Sequence, residues 1–146
     1  MASTFPAHIE TERLIFRPPV PQDAEAVFAA YAQDPAVSRF MVWIPHKSIE
    51  VTHQFIASCI AAWHSNAAFP YVLTGKANSR VVGMLDARPT EYRVNIGYVL
   101  AQAHWGQGLM PEAIRALAEA ALSGLWLFRV EATRLPEAVN ESIPSR

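Results

Sequence analysis

Residues 97–112 read GYVLAQAHWGQGLMPE, a β-rich run that gives way to a glycine-bearing loop and then to a helix with Pro111 in its first turn. A strand, a loop and a helix in such close succession turn unpaired backbone N–H groups and the positive end of a helix dipole toward whatever lies beyond the strand. This is the outline of an anion site. Two better-defined glycine loops are excluded. A dinucleotide fingerprint needs a glycine three residues after Gly108, where Pro111 stands, and a Walker A loop needs Gly-Lys-Ser/Thr, which is absent. The residues alone leave two readings open: a phosphate-binding loop, or glycines that only make a tight strand-to-helix turn.

Downstream, Ala113, Ile114, Leu117 and Ala121 keep helical spacing over residues 110–122, and Gly124 stands where a left-handed C-terminal residue belongs. Residues 126–135 are β-rich and are closed by Leu135-Pro136. Upstream the period is that of a sheet. Residues 69–74, a polar turn at GKANSR, residues 80–87, a break at Arg88-Pro89-Thr90, and residues 92–100 predict an antiparallel meander. Before it, Ser48 is a plausible N-cap for a long helix with Phe55, Ile56, Cys59, Ile60 and Trp63 on one face. Glu50, His53, Gln54 and Ser58 lie on the others. His53 and His64 have no partner at ligand spacing and read as solvated, so no metal is expected.

The segment PAVSRFMVWIPHK, residues 35–47, is broken by prolines and reads as a short helical turn and a partly apolar loop that either lines a cleft or simply packs. Pro21 and Asp23 open a first helix with Ala24, Val27, Phe28 and Tyr31 at helical spacing, stopped at Asp34-Pro35. RLIFR, residues 13–17, is a short strand closed by Pro18-Pro19. Strand, two helices, three strands, helix and strand make an α/β (α+β) fold, a mixed, mostly antiparallel sheet flanked by helices.

The chain has 146 residues, the length of a single domain spanning residues 1–146. Its 12 Lys+Arg against 13 Asp+Glu leave a net charge of -1, with no basic excess to neutralise nucleic acid or an anionic membrane. A hydrophobic content of 51% with 17% charged residues is too apolar for disorder. The single Cys59, set among apolar helix neighbours, excludes an internal disulfide and reads as a buried inert thiol. The N-terminal sequence lacks the charged start and apolar core of a signal peptide, and no stretch suits a membrane span. The expected compartment is the cytoplasm.

ETERLIFRP, NIGYVL, HWGQGLMPEA and FRVEA followed by Asn140 run in an order that resembles the GNAT acyl-CoA-dependent N-acetyltransferases, in particular the branch of ribosomal-protein N-terminal acetyltransferases. The resemblance covers the chain from about Thr11 to its end. It implies a splayed sheet in which the NIGYVL strand parts from the FRVEA strand, with the pantetheine arm of coenzyme A in the gap. It further implies pantetheine bonds to the backbone of Tyr98, Val99 and Leu100. The pyrophosphate would rest on the amides of Trp105, Gly106, Gln107, Gly108, Leu109 and Met110, with Asn140 also contacting the cofactor. Acetyl-CoA is thus the expected co-substrate, with a primary amine, on a small molecule or a protein N-terminus, as acceptor. Met110 departs from the Gly or Ala usual there, and its side chain either crowds the cofactor or turns into the core.

Acetyl transfer needs a neutral amine, a polarised thioester carbonyl and a proton for the departing thiolate. A strand N–H near Tyr98 or Val99 suits the second task. Where related enzymes often carry a Glu before Ile-Gly-Tyr, this chain has Asn95, which cannot accept a proton at neutral pH. Asn95 remains a candidate for orienting a water or the amine. Asp86, Glu91, Glu131, His46 and His104 are candidate acids and bases that spacing does not separate. Ser142 and Ser145 compete for the family's C-terminal serine position, and Asn95, Tyr98 and Ser145 form the candidate catalytic set. The family's last helix and strands have no counterpart before Arg146. The expectation is therefore an exposed sheet edge that is either covered by a second copy, as a homodimer, or leaves the chain poorly stable. Loss of those elements, with Asn95, also motivates a second reading as a non-catalytic acyl-CoA-binding protein. Phe40, Trp43 and Tyr71 form either an apolar acceptor rim or part of the core.

Overall fold

The computed structural model describes residues 5–32, 34, 46–90, 93–124 and 129–133. Strands β1 (Ile9–Glu10), β2 (Leu14–Arg17), β3 (Phe69–Gly75), β4 (Val81–Pro89), β5 (Arg93–Leu100) and β6 (Arg129–Thr133) form one sheet in sequence order. Neighbours from β1 to β5 are antiparallel, and β6 adds to β5 in parallel. The mixed, mostly antiparallel sheet matches the expected class.

Helix α1 (Asp23–Val27) continues through a π-type turn, Phe28–Ala32, in place of one regular helix. Asp23 anchors it, because both carboxylate oxygens accept from the Arg17 guanidinium at 2.8 Å and one also accepts from the Val20 N–H at 2.7 Å. A fork-to-fork pair of this kind satisfies a carboxylate that is only 5% exposed. Helix α2 (Ile49–Ser65) starts at Ser48, whose side chain makes no capping bond; its carbonyl instead accepts from the Val51 N–H. Asn66 ends it in the left-handed conformation at φ 60°, one of the few side chains at ease there.

Ile56 and Cys59 of α2 are buried, while Phe55, Ile60 and Trp63 pack half-buried beside them, as the helical spacing predicts. His53 and His64 are exposed. Residues 69–74 of β3 are all buried, so both faces of the central sheet are covered. Trp63 stands edge-on to Phe69 and Tyr71 at centroid distances of 5.0 and 5.2 Å, and its indole N–H donates to the Pro70 carbonyl. Tyr71 belongs to this core, with its hydroxyl donating to the Pro6 carbonyl, and so forms no acceptor rim.

Helix α3 (Leu109–Gly124) buries Leu109, Met110, Ala113, Ile114 and Leu117 and joins β5 to β6. Three boundaries differ from the sequence reading. β4 runs on through Pro89, where a proline at the end of a strand forfeits little of the ladder. Gly124 is the last helical residue rather than a turn beyond it, and β1 is a two-residue strand too short to leave a periodic signal. Among the described residues no helix is long and apolar enough to cross a membrane.

Candidate active site

The β5–β6 ladder runs from Arg93↔Arg129 to Gly97↔Thr133, and no described pair lies beyond it. Tyr98, Val99 and Leu100 continue β5 beyond the described part of that ladder and pair on the other side with β4. The chain then makes a 3-10 turn at Gln102–His104 and enters α3 through Gly106 and Gly108, both at φ 77°. That conformation strains any residue with a Cβ, which accounts for both glycines. A side chain on Gly106 would also meet open space, leaving the backbone approachable.

The loop is tied down from three sides. The Trp105 indole N–H donates to the Leu100 carbonyl at 2.9 Å, folding the side chain back on the end of β5. The Trp105 amide donates to Gln102 within the 3-10 turn. From the far end of the sheet, the Arg13 guanidinium donates to the Gln107 carbonyl at 2.9 Å and to Glu112 Oε1 at 2.7 Å. Glu112, in the first turn of α3, also accepts from the Thr11 hydroxyl at 2.5 Å and the Arg13 amide at 3.0 Å. Burial would raise the Glu112 carboxyl, but the bonds from Thr11 and Arg13 outweigh it and hold the group below its ordinary value. The side chains of Leu109 and Met110 turn into the core, so Met110 does not crowd the loop. As the first helical residue, Leu109 has an N–H without an intrahelical acceptor.

A cavity of about 460 Å³ lies between α2 and the sheet, reaching along β5 as far as Val99. The register explains its floor, since Met84↔Val99, Asp86↔Gly97 and Arg88↔Asn95 place alternate residues of β4 and β5 on one face. Cys59 and Phe55 of α2 form part of the roof. Asp86 Oδ2 accepts from Arg88 Nε at 2.5 Å, whereas its buried Oδ1 has no hydrogen-bond partner among the described residues. Burial first, and the Asp86 charge second, push the Cys59 thiol up to about 12, so it is protonated at neutral pH and inert.

The family model for the acetyltransferase (GNAT) domain matches residues 13–139, the span that holds the loop, the cavity and the strands between them. The chain belongs to the GNAT acetyltransferase family. It is 30% identical over 132 residues to p20 of Bacillus licheniformis, an uncharacterized N-acetyltransferase, covering 87% of this chain and 72% of that protein. In fold it resembles a putative ribosomal-protein-serine acetyltransferase from Vibrio cholerae, with a TM-score of 0.79 at 24% identity over 92% of this chain and 77% of that one. It also resembles RimL, a ribosomal L7/L12 alpha-N-protein acetyltransferase solved with coenzyme A, with a TM-score of 0.69 at 21% identity over 78% of this chain and 67% of that one. The family model and the relatives named N-acetyltransferase agree with what the residues imply, a GNAT N-acetyltransferase.

Within this GNAT domain the candidate residues fall into three groups. Asn95, Tyr98 and Val99 line the cavity together with Asp86. His46 and His104 do not line it; His46 packs on the lining residue Phe55 and sits 2.6 Å from the Thr52 hydroxyl, and burial lowers its pKa. Asn140, Ser142, Ser145, Glu91, Phe40 and Trp43 fall outside the described residues, and of Glu131 only the backbone is described. Arg13 and Glu112 were not singled out in the sequence, although ETERL and PEA both stand in the stretches that carry the resemblance.

Proposed function

We propose that the chain transfers an acetyl group from acetyl-CoA to a primary amine by direct attack. The observation that carries this reading is adjacency: the end of β5 leads into the glycine loop at Leu100 and lines the cavity with Tyr98 and Val99. The thioester would lie along Tyr98, Val99 and Leu100, its pyrophosphate at the turn through Gly106 and Gly108 and the N-terminus of α3, and the amine in the cavity. Two glycines at positive φ beside a helix N-terminus supply close backbone approach and a favourable dipole for a diphosphate. The backbone of Gln107, Gly108, Leu109 and Met110 would continue that cradle; the Trp105 amide donates to Gln102 and its side chain braces the loop. A strand N–H near Tyr98 or Val99 would polarise the thioester carbonyl. Asn95 would orient the amine or a water, and Asn140 and Ser145 would complete the site from the C-terminal segment. RimL solved with coenzyme A and a self-immunity acetyltransferase, MccE, solved with acetyl-CoA and AMP support this choice of co-substrate.

Calorimetric titration with coenzyme A and acetyl-CoA tests the loop, and thiol release with a panel of amines tests the chemistry. Gly108→Pro forces φ near -65° in place of 77° and removes an N–H. Its affinity for coenzyme A is expected to fall about tenfold or more, the loss of a charge-assisted hydrogen bond or two. Equal affinity in parent and variant, with the variant folded by circular dichroism, overturns the placement.

A further inference from the structure

The Arg13 side chain joins the start of the sheet to the glycine loop. Its guanidinium uses all three nitrogens: Nε and Nη2 lie 2.7 Å from Glu112 Oε1, and Nη1 donates to the Gln107 carbonyl at 2.9 Å. The main chain of the same residue is held as well, with its amide on Glu112 Oε2 at 3.0 Å and its carbonyl accepting from the Lys76 amide at 2.8 Å. A Cβ on Gly108 would stand 3.6 Å from Arg13 Nη2, whereas one on Gly106 would meet nothing within 4 Å. Arg13 therefore stands on the side toward which a Gly108 side chain would point, and the corresponding side of Gly106 is open.

The Gln107 carbonyl and the Gly108 N–H belong to one peptide plane, and in a trans peptide the two point in opposite directions. A guanidinium that grips the carbonyl thus also sets the direction of the N–H, away from Arg13. This plane needs such a restraint. One of the two dihedrals that turn it is φ of Gly108, and glycine leaves that rotation nearly unhindered. The freedom that lets the backbone approach a ligand would otherwise let the peptide turn over.

Charge attraction is the rival account. The Arg13 charge is paired with Glu112 at 2.7 Å, so beyond that separation the two fields largely cancel, and geometry is the larger effect. We infer that Arg13 is a positioning residue for the diphosphate of the acetyl donor, acting through the Gln107 carbonyl to hold the Gln107–Gly108 peptide in the orientation that receives it. This rests on the placement of coenzyme A proposed above. Glu112 fixes the guanidinium, and the guanidinium fixes the loop.

The test compares coenzyme A with pantetheine, the same arm without diphosphate and nucleotide, by titration calorimetry on the full chain. Calorimetry reads affinity apart from the fraction of competent protein, so a partly unfolded variant still gives a value. The parent is expected to bind coenzyme A about a hundredfold or more tighter than pantetheine, the scale of two charge-assisted bonds. Arg13→Gln is expected to lower that ratio about tenfold, the scale of one. Arg13→Lys keeps the charge, but one ammonium lacks the planar fork that spans Glu112 and Gln107, and the ratio is expected to fall nearly as far. Combining Arg13→Gln with Glu112→Gln is expected to lower it little further, because the two act in series. A general structural role for Arg13 would weaken both ligands alike and leave the ratio in place, which overturns the inference. So does a parent-like ratio in Arg13→Lys, since charge alone would then suffice. A parent that binds pantetheine as tightly as coenzyme A overturns the placement of the diphosphate itself, a result read before any variant is made.

Discussion

At the residue scale the carboxylate to test is Asp86, which lines the cavity. Asn95 stands where related enzymes often carry a carboxylate, and an amide neither takes a proton at neutral pH nor holds an ammonium by charge. The β4 strand places Asp86 on the same cavity floor, with Arg88 opposite Asn95 in the ladder. Asp86→Asn keeps the shape and one acceptor oxygen but removes the charge. Under the proposed chemistry kcat/KM for every amine is expected to fall about 10²-fold, the usual contribution of a positioned acid or base. Affinity for acetyl-CoA, which the proposed placement sets on the end of β5 and the glycine loop, is expected to stay within twofold or so of the parent, well under the tenfold that a pKd unit represents. Steady-state kinetics beside calorimetry would separate the two. A variant that keeps full activity would remove Asp86 from the site.

At the scale of elements, the site depends on how closely β4 and β5 approach. A Cβ on Gly83 would fall well inside contact distance of the Val99 carbonyl oxygen and close to Leu100 Cα, which are backbone atoms that cannot swing away. Gly83→Ala is therefore expected to cost about 1–3 kcal/mol by overpacking. It would also displace the end of β5, so coenzyme affinity should fall along with Tm in denaturant and calorimetric measurements. The same elements show what a sequence discloses. The strand, loop and helix around Gly106 and Gly108 are contiguous, so their succession is visible without any tertiary information. The cavity is not, because it exists only once the register Asp86↔Gly97 is set and α2 lies over it. Asp86 thus looked no different from His46 or His104 in one dimension, and only packing separates them. Tyr71 illustrates the converse: its aromatic character suited rim and core equally, and the Pro6 carbonyl decided for the core.

Across the whole molecule, the longest-range contact of the site joins residues about a hundred positions apart, with Thr11 and Arg13 gripping Glu112 and Arg13 also holding Gln107. No periodicity marks such a pairing, since each partner sits in a segment that is locally complete without it. Its effect is to brace the glycine loop against the first strands. The Glu112 carboxyl lies below its ordinary value in the folded chain. Its stabilising contribution is therefore full above the unfolded carboxylate value of about 4.3, and is lost as pH falls through the folded value. Glu112→Gln should melt below the parent at neutral pH, and the gap between the two should close as the buffer is taken down through the carboxylate range. Because the clamp holds Gln107, the same variant should bind coenzyme A more weakly at pH 7. Thermal melts of both proteins between about pH 3 and 7, the interval spanning carboxylate titration, read the first effect and calorimetry the second. A gap that stays constant with pH would mean that Glu112 acts by packing rather than through its charge.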